Sequence, residues 1–255
     1  GRLDTAKRAL ELLRASSRRE ADMLAGDLKA LNDSRKEMTQ AGVEEAVKMV
    51  ETTALQKDKV LVIFLPDCHE SLAGIIAGRI RERYHKPVFI LTKAEQGAKG
   101  SGRSIENYDM YEEMSKCKAL FTKFGGHKMA AGLSLPEENI EVFRRQMNEK
   151  TVLTQEDFCE KVSIDMQMPL QYVTEELVEE LELLEPFGKG NTKPVFVEKD
   201  MLVLNSRILG KNQNVLKMQV KDLGGTVMDA IYFGEAQECL EKIRRAGGKI
   251  TATYY

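Results

Sequence analysis

From Ala6 to Lys36 the apolar residues Ala9, Leu10, Leu12, Leu13, Ala21, Leu24, Leu28 and Leu31 recur at three- and four-residue spacing. That period predicts one long helix or two joined ones, with Gly26 the only weak point. A further helix is predicted through Val43–Leu55. The period then changes. Val60–Leu65 is a continuous apolar run closed by Pro66 and Asp67, the pattern of a strand buried on both faces. Ser71–Tyr84 reads as helix through Leu72, Ile75, Ile76 and Ile80, and Pro87–Leu91 reads as a second buried strand. This β-α-β unit implies a parallel pair with a right-handed crossover. Gly97–Ser104 is glycine-rich, Tyr108–Lys123 is predicted helical, Gly125-Gly126 marks a break, and Ile140–Glu149 is predicted helical again.

Beyond a boundary placed near Thr151–Glu156 the pattern turns to β. Val162–Met168 alternates as a strand does, and Glu175–Leu184 is an acidic amphipathic helix. Strands are predicted at Pro194–Val197, Met201–Leu209, Val215–Val220, Thr226–Tyr232 and Lys249–Tyr255, with a helix at Ala236–Ala246. The fold class is therefore an α/β domain, a sheet with flanking helices, followed by a small β-barrel with an OB-fold as the leading candidate. No internal repeat or low-complexity segment occurs. Gly1-Arg2-Leu3 leads straight into a helical pattern, and the last strand stops without a turn. Both ends read as cut, which predicts a piece of a longer polypeptide.

Charge refines this picture. With 255 residues, 38 Lys plus Arg and 40 Asp plus Glu, the net charge is −2, which excludes a binder that is polybasic along its whole length. The distribution is uneven. Residues 1–36 hold nine basic and six acidic side chains, residues 57–150 hold sixteen and thirteen, and residues 155–190 hold two and ten. Polyanion binding is expected on the first 150 residues and not on the 155–190 face. No apolar run reaches the ~20 residues of a membrane span, and no signal-peptide core is present. Cys68, Cys117, Cys159 and Cys239 lie far apart without a CxxC pair, which argues against a zinc or disulfide framework and suits a cytoplasmic protein.

Three motifs carry candidate chemistry. Asp67-Cys68-His69-Glu70-Ser71 joins a buried strand to a helix, where α/β sheets place anions; His69 could add a donor and Arg79 lies on the same helix. The alternative role is structural, with Ser71 as helix cap and His69 as a loop residue. Lys99-Gly100-Ser101-Gly102-Arg103-Ser104 offers glycines for close approach, a forked guanidinium and two hydroxyls, although it lacks a Walker ending and could be a plain glycine turn. Phe124-Gly125-Gly126-His127-Lys128-Met129-Ala130-Ala131-Gly132 implies a tight backbone approach at a helix start, with an imidazole and an ammonium converging on one oxyanion. Glu185–Asn191 reads as a helix stop and corner, and the strand methionines as core filling. With only His69, His85 and His127, no two-metal cluster can be assembled and no metal ligand is assigned.

In order and spacing these motifs resemble the C-terminal part of the RecJ family, single-strand-specific exonucleases of the DHH phosphoesterase superfamily. Gly1-Arg2-Leu3 resembles the end of the motif that closes the catalytic domain, and Leu31-Asn32-x-x-Arg35 the linking helix. His69–Arg79, Gly100–Ser104 and Gly125–Leu133 resemble the DHHA1 domain, and Glu185–Asn191 the opening of the OB-like domain. The resemblance implies a linking helix over residues 1–40 from a DHH domain absent here, a DHHA1 domain over 41–153, and an OB-like domain over 154–255 that is truncated at its end. It implies 5′→3′ hydrolysis of single-stranded DNA to mononucleotides in repair and recombination, with Mn²⁺ or Mg²⁺ bound by the DHH domain and none in this chain. Arg103 and His127 would be catalytic, stabilising charge across a cleft from the metals. The DNA-binding set would comprise Arg2, His69, Ser71, Arg79, Ser101, Arg103, Ser104, Gly125, Gly126, His127 and Lys128. Single-stranded DNA is the expected partner, a single-strand-binding protein or a helicase a further candidate, and a monomer the expected state. Two other classes compete: a non-catalytic scaffold, and another DHHA1 user such as an oligonucleotide phosphatase or an alanyl-tRNA synthetase domain. The retained Arg103 and His127 argue against the first, the Glu185–Asn191 motif against the second.

Overall fold

A computed structural model describes residue 3, residues 5–159 and residues 161–255; Arg2, and with it most of the Gly1-Arg2-Leu3 motif, lies outside the described residues. The chain forms two compact units, Gly1–Glu160 and Lys161–Tyr255. No helix among the described residues is long and apolar enough to cross a membrane.

The first unit opens with α1 (Lys7–Leu13) and α2 (Arg18–Thr52). Ser17 caps α2 by accepting the Glu20 N–H at 3.3 Å. The helix predicted separately from Val43 is the second half of α2. Its apolar stripes are parted by Asn32–Gln40, a mostly polar stretch with Thr39 buried, laced by Lys36–Asp33 and Arg35–Asn32 contacts and without glycine or proline. Gly26 does not interrupt it; one glycine costs about 1 kcal/mol, too little to break a helix this long.

The sheet follows in the order β1 (Leu61–Phe64), β2 (Val88–Lys93), β3 (Ala98–Arg103), β5 (Ala130–Leu135), β4 (Lys123–His127). β1 and β2 are parallel, joined through α3 (Ala73–Tyr84), and the other pairs are antiparallel. Val60, Val62, Phe89 and Leu91 point to one core with Phe143 and Met147 of α5 (Ile140–Lys150) and Met110 and Met114 of α4 (Met110–Ser115). Leu61, Ile63, Val88 and Ile90 point to the other, with Ala46 and Val50 of α2 and Ile76 and Ile80 of α3. Asn148 on α5 fixes the entry to β1, accepting the Lys59 and Val60 N–H groups and donating to the Val60 carbonyl.

The glycine-rich segments depart from the sequence expectations. Gly97–Ser104 is no loop: β3 pairs on both sides. Its Ala98, Gly100 and Gly102 face the first core, where a Cβ on Gly100 would lie 2.3 Å from Leu91 Cδ2 and one on Gly102 2.4 Å from Met110 Sδ and 2.7 Å from the Phe89 ring. Gly125-Gly126 is no break before a helix, but part of a β4–β5 hairpin turned by Lys128 and Met129. The small residues Ala130–Gly132, which look like a helix-packing patch, are strand, and Ala131 and Leu133 are buried while Gly132 is exposed. The helix predicted over 108–123 ends at Ser115, because Leu120 and Phe121 turn inward against the first core.

The second unit is a curled half-barrel consistent with an OB fold, a sheet ordered β10 (Lys249–Tyr254), β7 (Phe196–Leu209), β8 (Val215–Lys221), β9 (Val227–Phe233). α6 (Glu175–Glu182) is the acidic helix, and α7 (Ala236–Arg245) packs Ala236, Leu240 and Ile243 against Met201, Leu216, Met218 and Val220. The two strands predicted within 194–209 are one bent strand, whose first part pairs β10 and whose second part pairs β8. Of the strand predicted at Val162–Met168 only β6 (Met166–Gln167) pairs β7; upstream of it the Asp165 side chain and backbone tie to Val195 instead.

The packing above β3 generates a stability test. Gly102→Ala is expected to destabilise the chain by about 1–3 kcal/mol through overpacking, read as a lower denaturation midpoint in urea.

Candidate functional site

Along β3 the residues that alternate with the core-facing ones are Lys99, Ser101 and Arg103, and they share a sheet face with Ala130, Gly132 and Ser134 of β5 and Lys123, Gly125 and His127 of β4. Register arranges these nine into three cross-strand rows: Arg103–Ala130–His127, Ser101–Gly132–Gly125 and Lys99–Ser134–Lys123. Strand spacing sets the Arg103 and His127 backbones about 10 Å apart, and the rows follow one another at about 7 Å. The floor between the two basic side chains is made of alanine and glycine.

Each functional side chain is held locally. The Arg103 guanidinium donates from Nη1 to the Gly102 carbonyl at 2.7 Å and to Ser101 Oγ at 3.1 Å. It lies across the first turn of α3, where a Cβ on Gly74 would stand 2.8 Å from Nη2. His127 Nδ1 accepts the Met129 N–H at 3.3 Å, which places the ring proton on Nε2. The hairpin tip is anchored by its own backbone: Ser104 N–H donates to the Met129 carbonyl and Met110 N–H to the Lys128 carbonyl.

The two glycines of the hairpin differ. A Cβ on Gly126 would strike the Ala130 carbonyl oxygen at 2.4 Å, so glycine there is a steric necessity. A Cβ on Gly125 would meet nothing within 4 Å, and one on Gly132 only the Gly100 carbonyl at 3.9 Å. Glycine weakens a strand, and packing demands it at neither position. An open floor is what these two supply.

Other predicted site residues fall elsewhere. His69 itself caps the turn before α3: its Nδ1 accepts the Ser71 N–H at 3.2 Å and lies 2.8 Å from Ser71 Oγ, the reverse of the expected roles. Ser71 borders a hollow of about 180 Å³ with Glu70, Lys99, Gly100 and Ser101. Lys99 pairs there with Glu70 at 2.8 Å. Ser104 is 1% exposed and donates its hydroxyl to the Tyr108 carbonyl, so it braces the site without lining it. Arg79 turns to α2, donating to Gln40 at 3.3 Å. Lys128 is exposed at the hairpin tip. Burial and then the Glu45 charge push the Cys68 thiol up. Among the described residues no three His, Cys, Asp or Glu side chains stand together as a metal site.

Residues 57–152 match the DHHA1 domain family and residues 164–255 the RecJ OB domain. The chain joins a DHHA1 domain to a RecJ OB domain. It is 32% identical over 244 residues to the single-stranded-DNA-specific exonuclease RecJ of Bacillus subtilis (strain 168), which covers 93% of this chain and 31% of that protein. It is similar to the crystal structure of RecJ in complex with Mg²⁺ from Thermus thermophilus, with a TM-score of 0.74 and 27% identity over 92% of this chain and 35% of that one. The corresponding Mn²⁺ complex gives 0.73 and 29%, over 90% and 33%. The chain thus spans about a third of the length of these relatives.

The three-row face lies within the DHHA1 domain. Gly74 and Lys123 escape sequence reasoning, because their signal is the alternation and register of strands that look like glycine loops. The RecJ OB domain keeps its Glu185–Asn191 segment as a corner, with Asn191 Nδ2 donating to the Leu184 and Pro186 carbonyls.

The hairpin glycines can be separated by measurement. Gly125→Ala is expected to leave stability unchanged or raise it by up to about 1 kcal/mol, whereas Gly126→Ala should cost about 1–3 kcal/mol by forced displacement of β5. Thermal melts of the two variants check this.

Proposed function

We propose that this chain supplies the phosphate- and strand-binding part of a single-strand-specific 5′→3′ exonuclease that releases mononucleotides in DNA repair and recombination. The observation that carries the reading is the small-residue floor beside Arg103 and His127, with Ala130 between them and Gly132 and Gly125 in the next row, two glycines that packing does not require and that let a phosphodiester lie against the sheet. Arg103 and Ser101 hold one phosphate by charge-assisted and hydroxyl contacts. His127, with its proton on Nε2, donates to an oxyanion on the same phosphate or its neighbour, and is worth most where charge develops in the transition state. Mn²⁺ or Mg²⁺ and its ligands are assigned to a DHH domain outside these 255 residues. On this reading α2 belongs to the link from that domain.

The OB domain offers a strand contact of its own. Its sheet face away from the core carries the rows Leu209–Val215–Phe233 and Arg207–Lys217–Ile231, and Phe233 is 70% exposed. Phe233 can stack a base there. Tyr232 points to the opposite face, into a Met-lined hollow of about 420 Å³. The acidic α6 stays away from DNA. The same reading makes the protein a cytoplasmic monomer that works beside a single-strand-binding protein or a helicase. It also makes the chain alone a binder that does not cut, since the metal ligands lie outside it.

In the full-length parent, Arg103→Ala and His127→Ala are each expected to lower turnover on single-stranded DNA by about 10²-fold or more. Turnover within twofold of wild type for both removes them from the site. For the 255-residue chain, three or four phosphate contacts give a slope of log affinity against log salt of about −2 to −3. Lys128→Glu should weaken every sequence alike. Fluorescence anisotropy of a labelled oligonucleotide at several salt concentrations measures both, and tight binding with a flat salt response would contradict the electrostatic account.

A further inference from the structure

We infer that Lys99 forms a second phosphate subsite, one nucleotide from the Arg103–Ser101 subsite, and that Glu70 occupies it as an internal carboxylate until a polyanion displaces it. The inference rests on the phosphate reading of Arg103 and extends it to a residue with no assigned role. Lys99 stands one row beyond Ser101 on the same face, about 7 Å along the strand. That step is close to the distance between successive phosphates of a stretched single strand. Its cross-strand row continues through Ser134 to Lys123, so the row holds two cations and a hydroxyl.

Glu70 reaches this row from the turn before α3, with Oε2 2.8 Å from Lys99 Nζ. Both side chains are about half exposed, at 53% and 52%, so the pair is a weak, solvent-facing contact and not a structural clasp. An oxyanion on Lys99 is also what a phosphate would place there. The hollow of about 180 Å³ beside it opens next to one of about 770 Å³, where Lys93, Glu95, Gln96 and Ser134 also stand. A mononucleotide engages Arg103 and Ser101 and leaves the Glu70–Lys99 pair closed. A strand with a second phosphate exchanges Glu70 for that phosphate. The pair therefore distinguishes substrate, which opens it, from a one-phosphate product, which does not and departs.

The test is calorimetric titration of the 255-residue chain at low salt with the 5′-phosphorylated mononucleotide pT and the dinucleotide pTpT. Wild type should bind pTpT more tightly than pT. Lys99→Ala should bring pTpT down to the pT affinity while leaving pT itself unchanged. Glu70→Gln should raise pTpT affinity about twofold to fivefold, the range that releasing an exposed ion pair supports, again without moving pT. Arg103→Ala should weaken both ligands; if it moves neither, the phosphate reading of Arg103 fails on its own. A pTpT-to-pT ratio unchanged in both Lys99→Ala and Glu70→Gln, a wild-type ratio of one, or no binding of either ligand overturns the Lys99 subsite. Melting curves of the exposed-site variants should match wild type.

Discussion

The closure of Phe89, Leu91 and Met110 over the glycines of β3 is the constraint on which the rest of the first unit depends. Because the core side of β3 has no room beyond hydrogen at positions 100 and 102, the bulk that fills that core comes from the neighbouring strand and from α4. The opposite side of the same strand is then free to carry long polar side chains. A strand with a large residue at 100 or 102 would be pushed away from β2, and Lys99, Ser101 and Arg103 would move with it. The polar rows are thus positioned from beneath. Gly74 completes the arrangement on the other face, since a Cβ there would stand 2.8 Å from Arg103 Nη2 and would displace the guanidinium from its present place.

Electrostatics follows from this geometry more than from composition. The first unit carries no net charge, with 26 basic and 26 acidic side chains, yet its nine-residue face contains Lys99, Arg103, His127 and Lys123 and no carboxylate of its own. The acidic residues of the chain are concentrated elsewhere, with five glutamates on α6 alone. In the second unit one face of the curled sheet is packed against α7, and the other carries Arg207 and Lys217 beside the apolar Val215, Ile231 and Phe233, with Lys217 paired to Asp229.

Much of this architecture is legible in the residues themselves. The runs at 60–65 and 87–91 are apolar throughout because both faces of β1 and β2 are covered, and nothing competes with that reading. The α7 stripe and the β8–β9 alternation are equally plain. The candidate site is legible only in part. His127 and Arg103 stand out by type, but glycine in 97–104 and 125–132 looks like turn chemistry, whereas in the fold it records large neighbours at 100 and 102 and open space at 125 and 132. Those two causes leave the same letter in the sequence. Only cross-strand register separates them, and register is a property of paired strands that no single segment encodes. The hydroxyl of Ser104 is misread for a related reason: its burial depends on Tyr108 folding back over it.

The anchoring of the hairpin tip has a consequence for how the site can change over time. Ser104 and Met110 hold the turn through their peptide N–H groups, and the turn receives them through peptide carbonyls. Neither of those two bonds involves a side chain, so residues 128 and 129 at the turn can be exchanged without shifting the imidazole that precedes them, whereas Met110 is fixed by its burial in the first core. Such a site tolerates drift in its surroundings while keeping its geometry. Only proline, which lacks the N–H, would cut the tether at 104 or 110. Specificity can therefore be retuned at the hairpin tip by lineage after lineage, on a support that side-chain replacement does not disturb.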